Sequence, residues 1–383
     1  MPDLFPPPPV APPTDAERRA LVALALVPGV GPTRVRALLA RLGTAEAALG
    51  ARPATLAAVE GVGRRTAEAV VAFDDWDEVD RQFERAGAVG ARLVALHDAE
   101  MPGRLAHIYD PPPYLWVRGA FAPADDRAVA VVGTRKATDY GRRVAQRFAR
   151  GLAEEGVTVV SGLAYGIDIA AHRAALDAGG RTVAVLGSGV DRVYPARHAD
   201  VVRRVVEDGA GAVVSEFPLG AAPDAPNFPR RNRIIAALSA GTLVAEARAS
   251  GGAMLTAAMA LEQNRDVFAV PAPVTSDTQG ANRLIRQGYA GLVTSVEDLL
   301  ADLGGALPDA SSGTGVRPPP PPLPDDLTAI ERRLLDALTA EPRPLDLVCA
   351  DSGVDASQAL VYLLQLEFRG LVRQLAGKQF FRA

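Results

Sequence analysis

The sequence predicts an α/β protein: a doubly wound, mostly parallel sheet, preceded by a small helical domain and followed by a winged-helix-like one. Three observations predict it. Between residue 128 and about residue 300, short runs rich in β-branched residues alternate with helical stretches, the rhythm of strands joined by crossover helices. Most of those runs are continuously apolar, as strands buried on both faces must be. The flanking stretches, 15–85 and 325–383, lack the alternation.

Taken in order, residues 1–14 carry a proline run and are expected to be a disordered tail. Residues 15–85 read as helices broken by short glycine turns. Two of the turns are alike, Pro28-Gly29-Val30-Gly31 and Glu60-Gly61-Val62-Gly63, each followed by a helix that carries Arg34 and Arg36 or Arg64 and Arg65. Such a pair resembles tandem helix-hairpin-helix (SAM-like) modules, whose turns present backbone N–H groups that can hold a phosphate. The plainer alternative is an all-α domain whose glycines only permit tight turns. Residues 86–304 hold the α/β domain with its lead-in, where Asp110-Pro111-Pro112-Pro113-Tyr114-Leu115-Trp116 reads as an extended segment entering a strand. Strands are predicted over 128–132, 157–160, 182–186, 212–215, 242–245, 266–270 and 291–293. Residues 305–324, with Gly, Ser and a second proline run, read as an extended linker. The last stretch, 325–383, predicts helices over 327–340, 344–350 and 357–369 and a hairpin over 371–381 with a wing at Gly377, the order of a winged helix.

The chain has 383 residues, enough for two or three domains. Its formal charge of −4 is near neutral, so any basic surface must be local. Lysine occurs only at 136 and 378, so nearly every cation is an arginine, whose planar fork suits phosphate. The one cysteine, Cys349, cannot close a disulfide within the chain, and no Cys/His group has zinc spacing. With neither a signal-peptide pattern nor an apolar run long enough for a membrane span, the expected location is the cytoplasm.

In a doubly wound sheet, ligands bind where the strands end, and those ends are informative here. Gly133-Thr134-Arg135-Lys136 follows the first predicted strand. Ser161-Gly162-Leu163-Ala164-Tyr165-Gly166-Ile167-Asp168 follows the second, Gly187-Ser188-Gly189 the third and Ser250-Gly251-Gly252-Ala253 the fifth. Several small-residue loops thus reach helix starts at one edge, where unpaired N–H groups and the helix dipole favour an anion. Arg135 and Lys136 add full charges. The dinucleotide fingerprint is missing, because Arg135 stands where its second glycine belongs, and no Walker A sequence occurs. A second signal is Asn227-Phe228-Pro229-Arg230-Arg231-Asn232-Arg233, three arginines and an aromatic at a helix start. Arginine on phosphate with aromatic stacking on bases is how single strands are held.

Catalytic candidates are few. His97, His107, His172 and His198 form no metal motif, and His172 reads as a packed residue. Asp168 is expected to cap its helix. Glu216 and Glu246 end strands at the ligand edge and are the only candidate general bases. Cys349 reads as core. No catalytic residue, metal ligand or cofactor is therefore assigned.

In order along the chain stand Gly133-Thr134-Arg135, the 161–168 loop with His172, Gly187-Ser188-Gly189-Val190-Asp191 with Tyr194-Pro195, Phe228-Pro229 with Arg231-Asn232-Arg233-Ile234-Ile235-Ala236, and Ser250-Gly251 with Leu255-Thr256-Ala257. This succession resembles the DNA-processing protein A family (DprA, also called Smf) over roughly 100–300, and the flanking domains fit its three-part layout. The resemblance implies an extended Rossmann-like fold and a homodimer. It implies single-stranded DNA as ligand, handed to the RecA recombinase during natural transformation and recombination, past nucleases and single-strand-binding protein, without catalysis. The resemblance and the loop argument together nominate Gly133, Thr134, Arg135, Lys136, Ser161, Gly162, Gly187, Ser188, Arg230, Arg231, Asn232, Ser250 and Gly251 for the phosphates, with Phe228 for stacking. The chain departs from the family pattern at Ala237, Asn264 and Ala272, where glycine is usual, and at Ala196, where a charged residue often follows Tyr-Pro. Two rival readings remain. One is a nucleotide phosphoribohydrolase-like enzyme using Glu246 with Arg248. The other is a duplex-binding regulator built on the winged-helix-like domain, whose helix 357–369 is mostly apolar and poorly suited to recognition. The DNA reading requires Arg135 and Arg231 to share one groove.

Overall fold

The computed structural model describes residues 13–308, 327–338, 343–369, 371–375 and 379–382. The tail expected over 1–14, apart from its last two residues, lies outside them, as do the proline run at 318–322 and the wing at Gly377. Two compact units are present, divided between Gly315 and Val316.

Helices α1 (Asp15–Leu26), α2 (Pro32–Leu42), α3 (Ala45–Leu49), α4 (Pro53–Ala57), α5 (Arg64–Val71) and α6 (Trp76–Ala88) open the first unit. Thr14, Thr44 and Asp75 each cap a helix start through the side chain, which satisfies N–H groups the helix cannot. The two glycine turns sit side by side, because Arg34 donates to the Gly61 carbonyl at 2.7 Å and also to that of Gly29. Composition suggests a break near residue 85, but packing continues through it. Leu21, Leu24, Val79 and Ala86 share one core with Trp116, Leu163, Leu186 and Val213 of the sheet region. Gln82 exchanges hydrogen bonds with the backbone of Leu219.

The sheet runs β1 (Ala91–Ala95), β2 (Tyr114–Gly119), β3 (Ala128–Gly133), β4 (Thr158–Ser161), β5 (Thr182–Val185), β6 (Gly211–Ser215), β7 (Gly241–Glu246), β8 (Asp266–Ala269) and β9 (Gly291–Leu292). Its spatial order is β1-β2-β6-β5-β4-β3-β7-β8-β9. From β6 to β9 every pairing is parallel. The crossovers are α7 (Asp139–Glu154), α8 (Ile167–Asp177), α9 (Ala199–Glu207), α10 (Asn227–Ala237), α11 (Gly252–Glu262) and α12 (Gly280–Arg286), and α13 (Val296–Leu303) closes the unit. All seven predicted strands form. The extended segment at 110–116 enters β2 at Tyr114 as expected, whereas β1 and the antiparallel pairing of both strands are new, since a five-residue run inside a connector carries no alternation to read. Cores lie on both faces of the sheet. Asn264 takes a φ of 54°, a left-handed position that asparagine tolerates where glycine is usual.

The chain lays β3 to β6 outward on one side, then returns to place β7, β8 and β9 on the other. The reversal falls between β3 and β7. There the connections leave in opposite directions and open a crevice beyond the carboxyl ends.

The second unit holds α14 (Ala329–Ala337), β10 (Arg343–Pro344), α15 (Leu345–Ser352), α16 (Ala356–Phe368), β11 (Val372–Leu375) and β12 (Gln379–Arg382). The strands form an antiparallel sheet ordered β10-β12-β11, over a core that includes Leu334, Val348, Leu363 and Phe380. This is the expected winged-helix arrangement, with the short edge strand β10 added. Cys349 is half-buried against that core.

Candidate nucleic-acid interface

A cleft of about 460 Å³ opens at the reversal point. Gly133, Thr134 and Arg135 line one side, and Ser250, Gly251 and Gly252 at the start of α11 line another. Phe228, Arg231 and Asn232 of α10 line a third. Arg135 and Arg231 therefore share one groove. The Gly133 position admits no side chain, since a Cβ there would lie 2.3 Å from Ile167 and 2.7 Å from the Glu246 carbonyl. The start of α11 has no side-chain cap, so its first N–H groups are open to an anionic ligand.

The floor beside this cleft is the turn at 161–164, and its backbone is held at almost every residue. Ser161 Oγ donates to the Val131 carbonyl at 2.7 Å. The Gly162 carbonyl accepts from Arg231 Nη1 at 2.6 Å. Leu163 has a φ of 56°, an unfavourable conformation for a bulky residue. Its N–H donates to His172 Nε2 at 3.3 Å and its carbonyl accepts from His198 Nδ1 at 2.8 Å. His172 is fully buried, and its Nδ1 lies 2.7 Å from Thr182 Oγ1. That hydroxyl already donates to Val159, so Nδ1 carries the imidazole proton and Nε2 accepts. Burial holds the His172 pKa down to about 3. His172 and His198 are thus neutral supports of the turn.

The nominated residues divide by burial. Arg135 and Lys136 are exposed, and the Arg135 guanidinium lies over the half-buried Phe228 ring, 4.5 Å from its centroid. Arg231 is 4% exposed. Its Nη1 donates to Gly162 and Val185 and its Nε to Asn232 Oδ1 at 3.1 Å, which leaves Nη2 as the nitrogen with no hydrogen-bond partner among the described residues. Burial lowers its pKa to about 10. A Cβ at Gly162 would lie 2.4 Å from that guanidinium, so the glycine is there to admit the arginine. Asn232 Nδ2 reaches the Gly252 carbonyl at 3.3 Å and ties α10 to the start of α11. Arg230 is exposed, stands over Phe217 at 5.2 Å and does not line the cleft. Successive helical residues point about 100° apart, so Arg230, Arg231 and Asn232 cannot all face one ligand. Ser161, Gly162, Gly187 and Ser188 are buried. Ser188 Oγ donates to the Arg192 carbonyl at 2.6 Å, and Gly187 packs under Phe228. They position the cleft from below.

The acidic candidates are tied into the fold, although Glu216 Oε1 has no hydrogen-bond partner among the described residues. Glu246 is 1% exposed and accepts from Thr138 N at 2.9 Å, Thr138 Oγ1 at 2.8 Å and Thr278 Oγ1 at 2.9 Å. It neither lines the cleft nor meets Arg248 in an ion pair. Glu216 pairs with Arg233, which also reaches Asp110 at 3.1 Å. Asp168 is corrected from a helix cap to the second residue of α8. Gly166 holds the cap position, and Asp168 accepts from Ala164 N at 3.4 Å. Asp168 also lines the cleft, and burial raises its pKa against the pull of Arg231. Among the described residues, no group of three His, Cys, Asp or Glu is placed to hold a metal, and no helix is long and apolar enough to cross a membrane.

A family model described as DNA recombination-mediator protein A matches residues 92–304, more than half of the chain. The chain belongs to that family. Its winged-helix domain model matches 318–378, and a SAM-like helix-hairpin-helix tandem matches 22–73. Protein Smf of Synechocystis is 33% identical, covering 96% of this chain and 99% of its own length. Protein Smf of Escherichia coli is 41% identical over 74% of this chain and 76% of its own. Among solved structures, DNA processing protein A of Streptococcus pneumoniae superposes with a TM-score of 0.63 at 32% identity, over 76% of this chain and 99% of that one. The Helicobacter pylori protein, solved for its single-stranded DNA binding mode, gives 0.50 at 27% identity, over 56% of this chain and 95% of that one. This family of DNA-processing proteins accounts for the extended Rossmann-like sheet and both flanking domains.

Proposed function

We propose that this chain binds single-stranded DNA in the cleft between β3 and β7, protects it, and loads the RecA recombinase onto it in natural transformation and recombination. The observation that carries the reading is the exposed Arg135 guanidinium stacked on Phe228 at the mouth of a cleft floored by open helix N–H groups. A phosphate fits the guanidinium and the N–H groups, and a base fits the aromatic wall. A relative of 27% identity was solved for single-stranded DNA binding, which supports the same ligand here. The phosphate contacts are Gly133, Thr134, Arg135, Lys136, Ser250 and Gly251, together with Arg231 Nη2. Ser161, Gly162, Gly187, Ser188 and Asn232 shape the cleft from behind, and Arg230 extends the charge outside it.

The reading is non-catalytic and needs no cofactor. The buried, fully bonded Glu246 and the neutral His172 support this, since neither lines the cleft. The protein works in the cytoplasm as a homodimer. Two clefts on one long strand gain avidity without new contacts, and RecA and single-strand-binding protein compete for or receive the same strand.

Fluorescence anisotropy with a labelled single strand and its duplex tests the ligand. The expected result is preference for the single strand, falling with salt, and weaker binding by Arg135→Ala. Equal affinity for the duplex, or an unaffected Arg135→Ala variant, overturns it.

A further inference from the structure

The cleft does not end at Arg135. Behind the 134–136 loop lies a second hollow of about 360 Å³, whose walls include Arg135, Lys136, Arg142, Tyr165 and Arg173. Arg135 lines both hollows, so the loop is a saddle between them. The saddle is fixed. Thr134 N donates to the Glu246 carbonyl at 2.8 Å, and the Thr134 carbonyl accepts from Ile167 N at 3.3 Å.

The second hollow has the two components of a single-strand site. Tyr165 is 39% exposed, although most large aromatic surface is buried in a soluble fold. Its ring is held edge-on against His198, centroids 5.2 Å apart, with the Arg197 guanidinium 6.0 Å from its centre. Around it stand Arg135, Lys136, Arg142, Arg173 and Arg197, opposed by Asp139 on Arg142 and by Asp200 on Arg173 at 3.1 Å. Those two pairs are exposed, and such pairs are weak enough for a phosphate to displace. A local excess of positive charge in a chain of net charge −4 marks an anionic ligand, and the aromatic wall marks one with a planar group.

We propose that this hollow is a second nucleotide subsite, into which the strand passes over Arg135. The backbone continues onto Lys136 and Arg173, and a base stacks on Tyr165. The inference rests on the cleft being the single-stranded DNA site, and it assigns a direction to the strand as it leaves, toward the starts of α7 and α8.

The test is anisotropy with labelled oligothymidylates of roughly 5 and roughly 20 nucleotides, lengths that fill one subsite or run past it. Tyr165→Ala and Arg173→Ala are expected to bind the long strand about 5- to 10-fold more weakly and the short strand within about twofold of the parent. Tyr165→Phe restores the parent affinity, and Arg173→Ala lowers the salt slope by about 0.7. Arg135→Ala weakens both lengths. Parent-like binding of the long strand by Tyr165→Ala and Arg173→Ala, with Arg135→Ala still weakened, overturns the second subsite and leaves the cleft standing. Equal weakening on both lengths also overturns it, because the residues would then act through the cleft. An Arg135→Ala variant that binds both lengths like the parent removes the cleft reading itself. Arg173 lies on the exposed face of α8, so its variant reports binding even if Tyr165→Ala disturbs the His198 contact.

Discussion

The guanidinium of Arg135 lies 4.5 Å from the ring centroid of Phe228, although 93 positions separate the two in the chain. The stack holds a flexible cation over the cleft before any ligand arrives. It also presents an aromatic edge beside that charge. Cation–π contacts at such exposed sites contribute about 0.5–1 kcal/mol, enough to bias a rotamer and too little to resist a phosphate.

For this pair, Phe228→Ala is expected to weaken single-strand binding by about 1–3 kcal/mol and Arg135→Ala to lower the salt slope by about 0.7. Because the residues touch, the double variant should lose less than the sum of the single losses. A titration of all four proteins against one oligonucleotide measures the coupling, and strict additivity would show that the stack is incidental.

Arg231 should behave differently. Its loss leaves the carbonyls of Gly162 and Val185 without their buried donor, so Arg231→Ala is expected to lower stability by about 3 kcal/mol. Arg231→Lys does not rescue it, since an ammonium cannot serve both carbonyls and Asn232 in the plane of the fork. Urea unfolding checks this. A variant of parental stability with lost DNA binding would mean that the side chain serves the ligand alone.

Acid should act through His172. Its pKa is about 3 in the fold, against about 6.5 when unfolded, so the unfolded chain binds the extra proton. Its contribution is complete above about pH 6.5 and is lost as pH falls, by about 1.4 kcal/mol per unit toward pH 3. Burial depresses His198 in the same direction, whereas the raised pKa of Asp168 opposes it. The measurement is therefore a difference. Between pH 7.5 and 4.5, His172→Gln should lose about 2–3 kcal/mol less than the parent. Parallel losses in both proteins would contradict the buried neutral tautomer.

Glu246 separates the binding protein from an enzyme. Glu246→Gln should lower stability by about 1–3 kcal/mol, because an amide nitrogen faces donors that a carboxylate accepted. Neither the parent nor the variant should release free base from nucleoside monophosphates. Base release by the parent, abolished in the variant, would restore the phosphoribohydrolase reading.

The strands were legible because mostly apolar runs of three to five residues between glycine-rich turns leave few alternatives. The same holds for the ligand edge, since strand ends and helix starts follow once the strands are placed. The antiparallel β1, and the pairing of β2 with the distant β6, were not legible, because a short run in a connector does not record its partner. Burial of polar residues was less legible still. In Arg230-Arg231-Asn232 the sequence shows three similar donors, yet one is exposed over Phe217, one is locked under the 161–164 turn and one ties two helices together. The helical spacing already held a signal that they diverge. Tyr165 could have been noticed as the one aromatic in a loop of small residues.

By itself, the order of residues determined the α/β class, the loops that meet at one edge and the absence of the nucleotide fingerprints, because these depend on neighbours within a few positions. Only the tertiary structure decided which cations meet solvent, since that turns on partners far along the chain. Arg231 finds its carbonyl 69 residues away at Gly162. Burial of a charge is set by whether such a partner is within reach, and no local pattern records that distance.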